Sequence, residues 1–189
     1  MPNIYIIAGS NGSGKTTLAN VLLPEFLSCN EFVNADSIAA GLSPFNPDGV
    51  ALQAGRLMLE RITELSNERK DFAFETTLAT RSYKQHIRHW IETGYSVHLI
   101  FLWLNSPEFS IKRVERRVMT GGHSIPENII RRRYKRGIYN FFNIYKDLVT
   151  GWEVYNNTSL EDLTLVATQK HGIISIVKED LWKILKSQN

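Results

Sequence analysis

The sequence predicts an α/β fold: a parallel sheet with helices on both faces. Three observations carry that expectation. Short apolar runs of strand length alternate with helix-period stretches along most of the 189 residues. One run, Ser96–Leu104, is almost wholly apolar, as a central strand covered on both faces must be. The first run, Ile4-Tyr5-Ile6-Ile7-Ala8, leads into Gly9-Ser10-Asn11-Gly12-Ser13-Gly14-Lys15-Thr16, which satisfies the G-x-x-x-x-G-K-[ST] spacing of a phosphate-binding loop.

Bulk properties narrow the class. The length fits a single domain, residues 1–189, with a full core. A hydrophobic content of 43% and a charged content of 22% are those of an ordinary globular chain. No apolar stretch reaches membrane-span length, and the chain opens directly on its first strand, so neither a membrane anchor nor a signal peptide is expected. The one cysteine, Cys29, excludes an internal disulfide and suits a reducing cytoplasm.

Strands are expected near Asn3–Ala8, Glu31–Asn34, Phe72–Glu75, Ser96–Leu104 and Trp152–Tyr155. A helix should run from Thr17 to Leu23 and stop at Pro24, which lacks the amide hydrogen to continue it. Residues 48–65 read as a second helix with Leu52, Gly55, Leu59 and Ile62 on an inward stripe, Gly55 marking close packing. Arg56 shares another face with Gln53 and Glu60 and is a candidate substrate contact. Ser106-Pro107 is a helix start, Ser at the N-cap and Pro at N1. That helix breaks at Thr120-Gly121-Gly122-His123-Ser124, where His123 would cap or order the break. A second begins at Ile125-Pro126 with the stripe Ile130, Tyr134, Ile138, Phe141, Tyr145 and Leu148. His86 and His89 read as helix-surface residues. The tail reads as a hairpin, 163–168 and 173–177 around Lys170-His171-Gly172, then a closing helix over 179–186. By analogy with nucleoside-kinase-like P-loop folds, this gives a three-layer P-loop NTPase. Its parallel five-stranded sheet has the order 2-3-1-4-5, with right-handed crossovers, a helical lid over about 106–136 and the hairpin as an appendage.

The loop sets the chemistry. Gly9, Ser10, Asn11, Gly12, Ser13, Gly14, Lys15, Thr16 and Thr17 are the expected nucleotide-binding residues, with backbone amides and a helix N-terminus turned on the phosphates. Lys15 would reach the β and γ phosphates of ATP, and the Thr16 hydroxyl would sit on Mg²⁺. A phosphoryl acceptor then needs a group to orient or deprotonate it. Asp36 and Glu75 each stand at the carboxyl end of a strand, where ligands bind in parallel α/β sheets. Asp36 is the candidate base, with helix N-capping as the competing role. Glu75 either holds the Mg²⁺ shell, directly or through water, or grips the acceptor. From Lys112 to Arg136 there are nine Lys or Arg against Glu115 and Glu127. Two arginine-bearing helices at a glycine hinge are what a phosphoryl-transfer lid needs, to exclude water and neutralise charge on the transferring group.

The blocks AGSNGSGKTT, NADSIA, FETTLA and RRVMTGGHSIPENIIRRRYKRGIYN, in this order, resemble the zeta-toxin family of small P-loop kinases, above all its short bacterial members sometimes labelled predicted ABC-type ATPases. The resemblance spans residues 4 to about 158. It implies ATP-dependent phosphorylation of the 3′-hydroxyl on the amino sugar of UDP-N-acetylglucosamine, and neutralisation by a small helical antitoxin protein. It implies that Lys15 is the P-loop lysine, that Asp36 is the catalytic base, and that Glu75 and Thr77 form the substrate-binding element. The two lid arginines fall in the Arg116–Arg117 and Arg131–Arg133 clusters, with Arg116 and Arg132 preferred. Asn157 falls where a nucleotide-base loop is expected. The chain is shorter than the best-known toxins, which carry extra sugar-contacting segments, so kinase chemistry transfers better than acceptor identity.

Two other readings compete. The basic segment suits a nucleic-acid 5′-hydroxyl kinase, but it lacks interleaved aromatics for base stacking, Tyr134 apart. An ATPase switch or transport motor would need a signature of the LSGGQ type, of which Met119-Thr120-Gly121-Gly122-His123 is only an echo, and a GTPase would need an N-K-x-D element, which is absent.

Overall fold

A computed structural model describes residues 1–122, 124–159 and 162–189. The order is β1 (Asn3–Gly9), α1 (Lys15–Phe26), β2 (Phe32–Val33), α2 (Ala35–Leu42), a 3₁₀ turn (Pro47–Val50), α3 (Ala51–Asn67), β3 (Phe72–Thr76), α4 (Tyr83–Glu92), β4 (Ser96–Trp103), α5 (Pro107–Met119), α6 (Glu127–Asn140), a π turn (Phe141–Tyr145), β5 (Gly151–Asn156), β6 (Thr164–Lys170), β7 (Ile173–Ile176) and α7 (Glu179–Ser187). The expected strand order 2-3-1-4-5 is present, with all four pairings parallel. The C-terminal hairpin is not an appendage: β6 pairs antiparallel with β5, and β7 with β6, giving one mixed sheet ordered β2-β3-β1-β4-β5-β6-β7. Val166 and Ala167 are fully buried. Burial of that kind draws a hairpin into the sheet.

The sheet faces are unequally covered. Alternation places Ile4, Ile6, Phe72, Phe74, Leu99, Phe101, Trp152 and Val154 on one face, against Met58 and Ile62 of α3, Ile87 and Trp90 of α4, Ile138 of α6, and Trp182 and Leu185 of α7. Ile7, Ala73 and Ile100 face the other way, onto Ala19 and Leu23 of α1. Among the described residues no helix is long and apolar enough to cross a membrane.

Two helices depart from expectation. Helix α1 runs through Pro24 to Phe26. The proline sits in the last turn, where it forfeits one backbone hydrogen bond. The end is then closed by Leu27 N–H to the Leu22 carbonyl (3.1 Å) and Cys29 N–H to the Leu23 carbonyl (2.9 Å), around Ser28 at φ +50°. In α3 the inward stripe is Ala54, Met58, Ile62 and Leu65. Leu52 is 75% exposed, Leu59 is also exposed, and a Cβ on Gly55 would meet nothing within 4 Å. The stripe of 52, 55 and 59 is helical but turned toward a cleft, because Ala54 and Met58 offer a competing stripe that fits the sheet.

The lid helices are anchored from below. Tyr134 of α6 donates to the Leu104 carbonyl at 2.6 Å and also lies 2.8 Å from Gln188 Oε1, while Trp103 Nε1 donates to the Tyr134 oxygen at 3.2 Å. Burial raises the Tyr134 phenol to about 12, so it stays a neutral donor. Tyr134→Phe should lower unfolding free energy by about 1–2 kcal/mol, because the Leu104 carbonyl and the Trp103 indole lose a buried partner. Urea titration followed by tryptophan fluorescence measures this; an unshifted midpoint would show the network to be dispensable.

Candidate active site

The phosphate-binding loop joins β1 to α1 at the carboxyl edge of the sheet. Gly9 sits at φ +148°, and a Cβ there would lie 2.3 Å from the Leu102 carbonyl oxygen of β4, so no larger residue fits. Gly14, left-handed at φ +89°, is the N-cap of α1 and supplies no side-chain acceptor, which leaves the first amides of the helix open to an anion. The Ser13 hydroxyl is buried with no protein partner. Open amides, an unpartnered hydroxyl and a buried lysine together fit a bound polyphosphate.

The loop is braced from outside. Ser10 Oγ lies 2.8 Å from Ser110 Oγ of α5. Arg113 of α5 donates to the Gly12 carbonyl (3.3 Å) and to the carbonyls of Asn157 (2.6 Å) and Thr158 (3.1 Å). Asn157, expected beside the nucleotide base, donates from Nδ2 to the Ser13 carbonyl at 2.8 Å. It pins the loop directly. Arg113 is spent on structure as well, a role its place in the basic run did not reveal.

Lys15 is buried, its Nζ donating to the Ser10 carbonyl at 2.9 Å and lying 3.5 Å from Glu75 Oε1. Burial pulls its pKa below the usual lysine value; Glu75 and Asp36 pull it back up, and Arg117 adds to the depression. The Thr16 hydroxyl donates to Glu75 Oε2 at 2.6 Å, and Asn34 Nδ2 donates to the same oxygen at 2.8 Å. Asn34 also settles the question of the cap. Its Oδ1 accepts from the amides of Asp36 (2.8 Å) and Ser37 (3.2 Å), so Asn34 is the N-cap of α2 and Asp36 occupies the first turn. Asp36 is therefore not the capping residue.

These residues border one cleft of about 420 Å³. Asn11, Lys15, Asn34, Asp36 and Glu75 form one wall; Leu52, Gly55, Arg56 and Leu59 of α3 form another; Thr77, Tyr83 and Arg133 close it. Sequence reasoning placed Asp36, Glu75, Thr77 and Arg56 together, and all four line this cleft. It missed Asn34, whose only signal was its place two residues before the candidate base.

The arginines preferred for the lid are not the ones turned toward the cleft. Arg116 and Arg132 are exposed and lie outside the cleft lining. Arg133 lines it and donates to Asn11 Oδ1 at 3.4 Å, and Arg117 is close enough to Lys15 to depress its basicity. One residue of shift along a helix turns a side chain by about 100°, and packing of Val114, Ile130 and Tyr134 fixes the phase. Arg131 instead bridges the lid helices, 2.6 Å from Glu108 and 2.8 Å from Glu127. Hydrogen bonds from Ser106 and Arg131 hold the Glu108 carboxyl down to about 2. Between the helices, a Cβ on Gly122 would lie 2.5 Å from Arg117 Cγ, so the hinge glycine packs on the stem of that arginine. The hinge role expected of His123 lies outside the described residues. Thr17 is exposed in the first turn of α1.

No group of three His, Cys, Asp or Glu side chains able to hold a metal occurs among the described residues. Thr16 and Glu75, in contact at the loop, are the pair fitted to a cation that arrives with a phosphate ligand.

The comparisons agree with this architecture. A relative from Haemophilus influenzae, described as an uncharacterized protein, is 32% identical over 126 residues, covering 67% of this chain and 88% of the relative. A chain in the crystal structure of the AvrRxo1-ORF1:-ORF2 complex with ATP matches at TM-score 0.82 and 16% identity, over 100% of this chain and 64% of that one. This chain thus spans just under two thirds of that structure. A chain of the PezAT chromosomal toxin-antitoxin system of Streptococcus pneumoniae matches at TM-score 0.62 and 16% identity, covering 99% of this chain and 85% of that one. At such identities the likeness is one of fold alone. The family profile described as Zeta toxin matches residues 1–158, the loop, the cleft and the lid included, and the chain belongs to the zeta toxin family.

Proposed function

We propose that this protein is an ATP-dependent kinase of small molecules that phosphorylates a sugar hydroxyl, with UDP-N-acetylglucosamine or a related nucleotide sugar as acceptor. The observation that carries the proposal is that Asp36, relieved of capping by Asn34, lines the same cleft as Lys15. ATP would lie with its phosphates over the loop amides and Lys15. An acceptor hydroxyl entering between α3 and Asp36 would give its proton to the Asp36 carboxylate as its oxygen bonds to the γ-phosphorus and ADP leaves. Lys15, Arg117 and Arg133 would stabilise the charge that develops on the transferred group. The Thr16 hydroxyl and the Glu75 carboxylate would hold a Mg²⁺ ion that arrives with ATP, which would further neutralise the phosphates. Arg56 is the cation of the α3 wall and would meet an anionic part of the acceptor, with Leu52 and Leu59 under its apolar part. The resemblance extends the proposal to toxicity relieved by a helical antitoxin. Growth arrest on induction of the wild type, absent with Lys15→Ala, is the test of that extension.

A polynucleotide 5′-hydroxyl is the second reading, favoured by the arginines that stay outside the cleft, Arg116 and Arg132. A salt-sensitive shift of single-stranded oligonucleotides at low ionic strength would support it.

Asp36→Asn should cut product formation by about 10²–10⁴-fold while leaving ATP affinity near wild type. Mass spectrometry of a nucleotide-sugar panel, reading a mass gain of one phosphate, measures the first effect, and equal turnover would remove Asp36 from its role. Arg133→Ala should lower kcat by about 10²–10³-fold, and Arg132→Ala should lie within about threefold of wild type. Steady-state kinetics that reverse this order would return the lid role to Arg132. Asn34→Ala loses the α2 cap, worth about 1 kcal/mol, together with a donor to Glu75. It should lower both the thermal midpoint and kcat, and an unchanged kcat would separate the cap from the chemistry.

A further inference from the structure

The far edge of the sheet is built for a second strand. Strand β7 pairs with β6 alone, and among the described residues nothing pairs with its outer side. The turn that delivers it, His171 (φ +51°) and Gly172 (φ +79°), has the two positive φ values of a type I′ hairpin. The closing pair of such a hairpin, Lys170 and Ile173, is hydrogen-bonded, and the alternation continues to Val177, whose N–H bonds the Val166 carbonyl at 2.9 Å. Ile173, Ser175 and Val177 therefore turn their amides toward β6. Ile174 and Ile176 turn N–H and C=O outward, to solvent.

Along the four residues of β7, Ile173 to Ile176, that edge carries neither charge nor proline to blunt it. A bulge stands only at the end, where Val177 and Lys178 both donate to the Val166 carbonyl (2.9 and 3.1 Å), and Ile173 (74%), Ile174 (53%) and Ile176 (38%) are exposed. We infer that β7 pairs with β7 of a second copy of this chain, antiparallel and two-fold symmetric about Ser175, to form one sheet continuous across both copies.

Two features select that occupant and that register. An antiparallel pairing centred on Ser175 puts Ile174 opposite Ile176 of the second copy, and the reverse, so the outward amides and carbonyls meet as two bonded pairs. Ser175 then faces its own counterpart at the closely spaced, non-bonded position, where a small side chain fits. The flanks are complementary as well. The turn that carries Lys170, itself 2.9 Å from Glu153 of its own copy, comes to the end of the pairing where the other copy begins α7 with Glu179 and Asp180, so a lysine meets acids at both ends. The active-site cleft lies across the sheet, bordered by β2 and β3, so pairing leaves it open.

Sedimentation of the whole protein at about 100 µM should give twice the 21.6 kDa chain mass. Ile176→Pro removes an outward amide without touching the β6 ladder, and Ile174→Lys places a charge on the edge. Each should shift the protein to monomer at the same concentration while ATP binding is retained. Ser175→Cys should form a disulfide-linked dimer under mild oxidation, since closely spaced pairs have a Cα separation of about 4.5 Å, within disulfide range. The native Cys29 is buried and gives no background. A wild-type monomer at that concentration overturns the inference. So does a dimer that survives Ile176→Pro, or one in which Ser175→Cys fails to cross-link.

Discussion

The site depends on a side chain that performs no chemistry. Asn34 holds Glu75 with its amide hydrogens and the N-terminus of α2 with its carbonyl oxygen. Glu75 holds Thr16 and lies beside Lys15, so one short chain of contacts joins β2, α2, β3 and the start of α1. An acid in its place would lack the donor, and an aliphatic residue would lack both ends. The direction of Asp36 into the cleft follows from this chain, because a capped helix start leaves the second helical residue free to project.

Burial gives the lysine its character. A cation out of water is costly unless carboxylates or phosphates answer it. Lys15 has one carboxylate at 3.5 Å, a second across the cleft, and a backbone carbonyl. A polyphosphate would supply what is missing, and the open amides of α1 point to the same place. The bracing by Arg113, Ser110 and Asn157 keeps the loop shaped for it. Two arginines of the basic run therefore serve rigidity, Arg113 by locking the loop and Arg131 by tying α5 to α6, while Arg133 lines the cleft and Arg117 lies near Lys15.

The sheet is asymmetric in the same functional sense. Its β2–β3 end carries the acids, α2 and α3 and forms the cleft. Its β6–β7 end carries α7 and an edge with which nothing among the described residues pairs. The family match ends at residue 158, before β6, so the part of the chain that closes the cleft and the part that carries the free edge are distinct along the sequence.

Features that rest on local chemistry, or on the burial of a whole segment, could be read from the residues alone. The loop was legible because glycine, lysine and threonine have few substitutes at their positions, and Ser96–Leu104 because only a central strand tolerates that much apolar surface. Asp36 and Glu75 were legible together because both stand where strands end on one edge of the sheet, while Thr77 came only with the family resemblance and Arg56 only as a polar position on a helix face. Tertiary structure alone decided the phase of each helix. Neighbouring arginines differ by about 100° of rotation and by nothing in their chemistry, so only the packing of Val114, Ile130 and Tyr134 could choose Arg117 and Arg133 over Arg116 and Arg132. The same held in α3, where two apolar stripes were available and packing against β2 and β3 took that of Ala54 and Met58. It held for the hairpin, whose alternation marks two strands without saying that the first of them pairs back onto β5. And it held for Asn34, whose importance lies in a carboxylate 41 residues away.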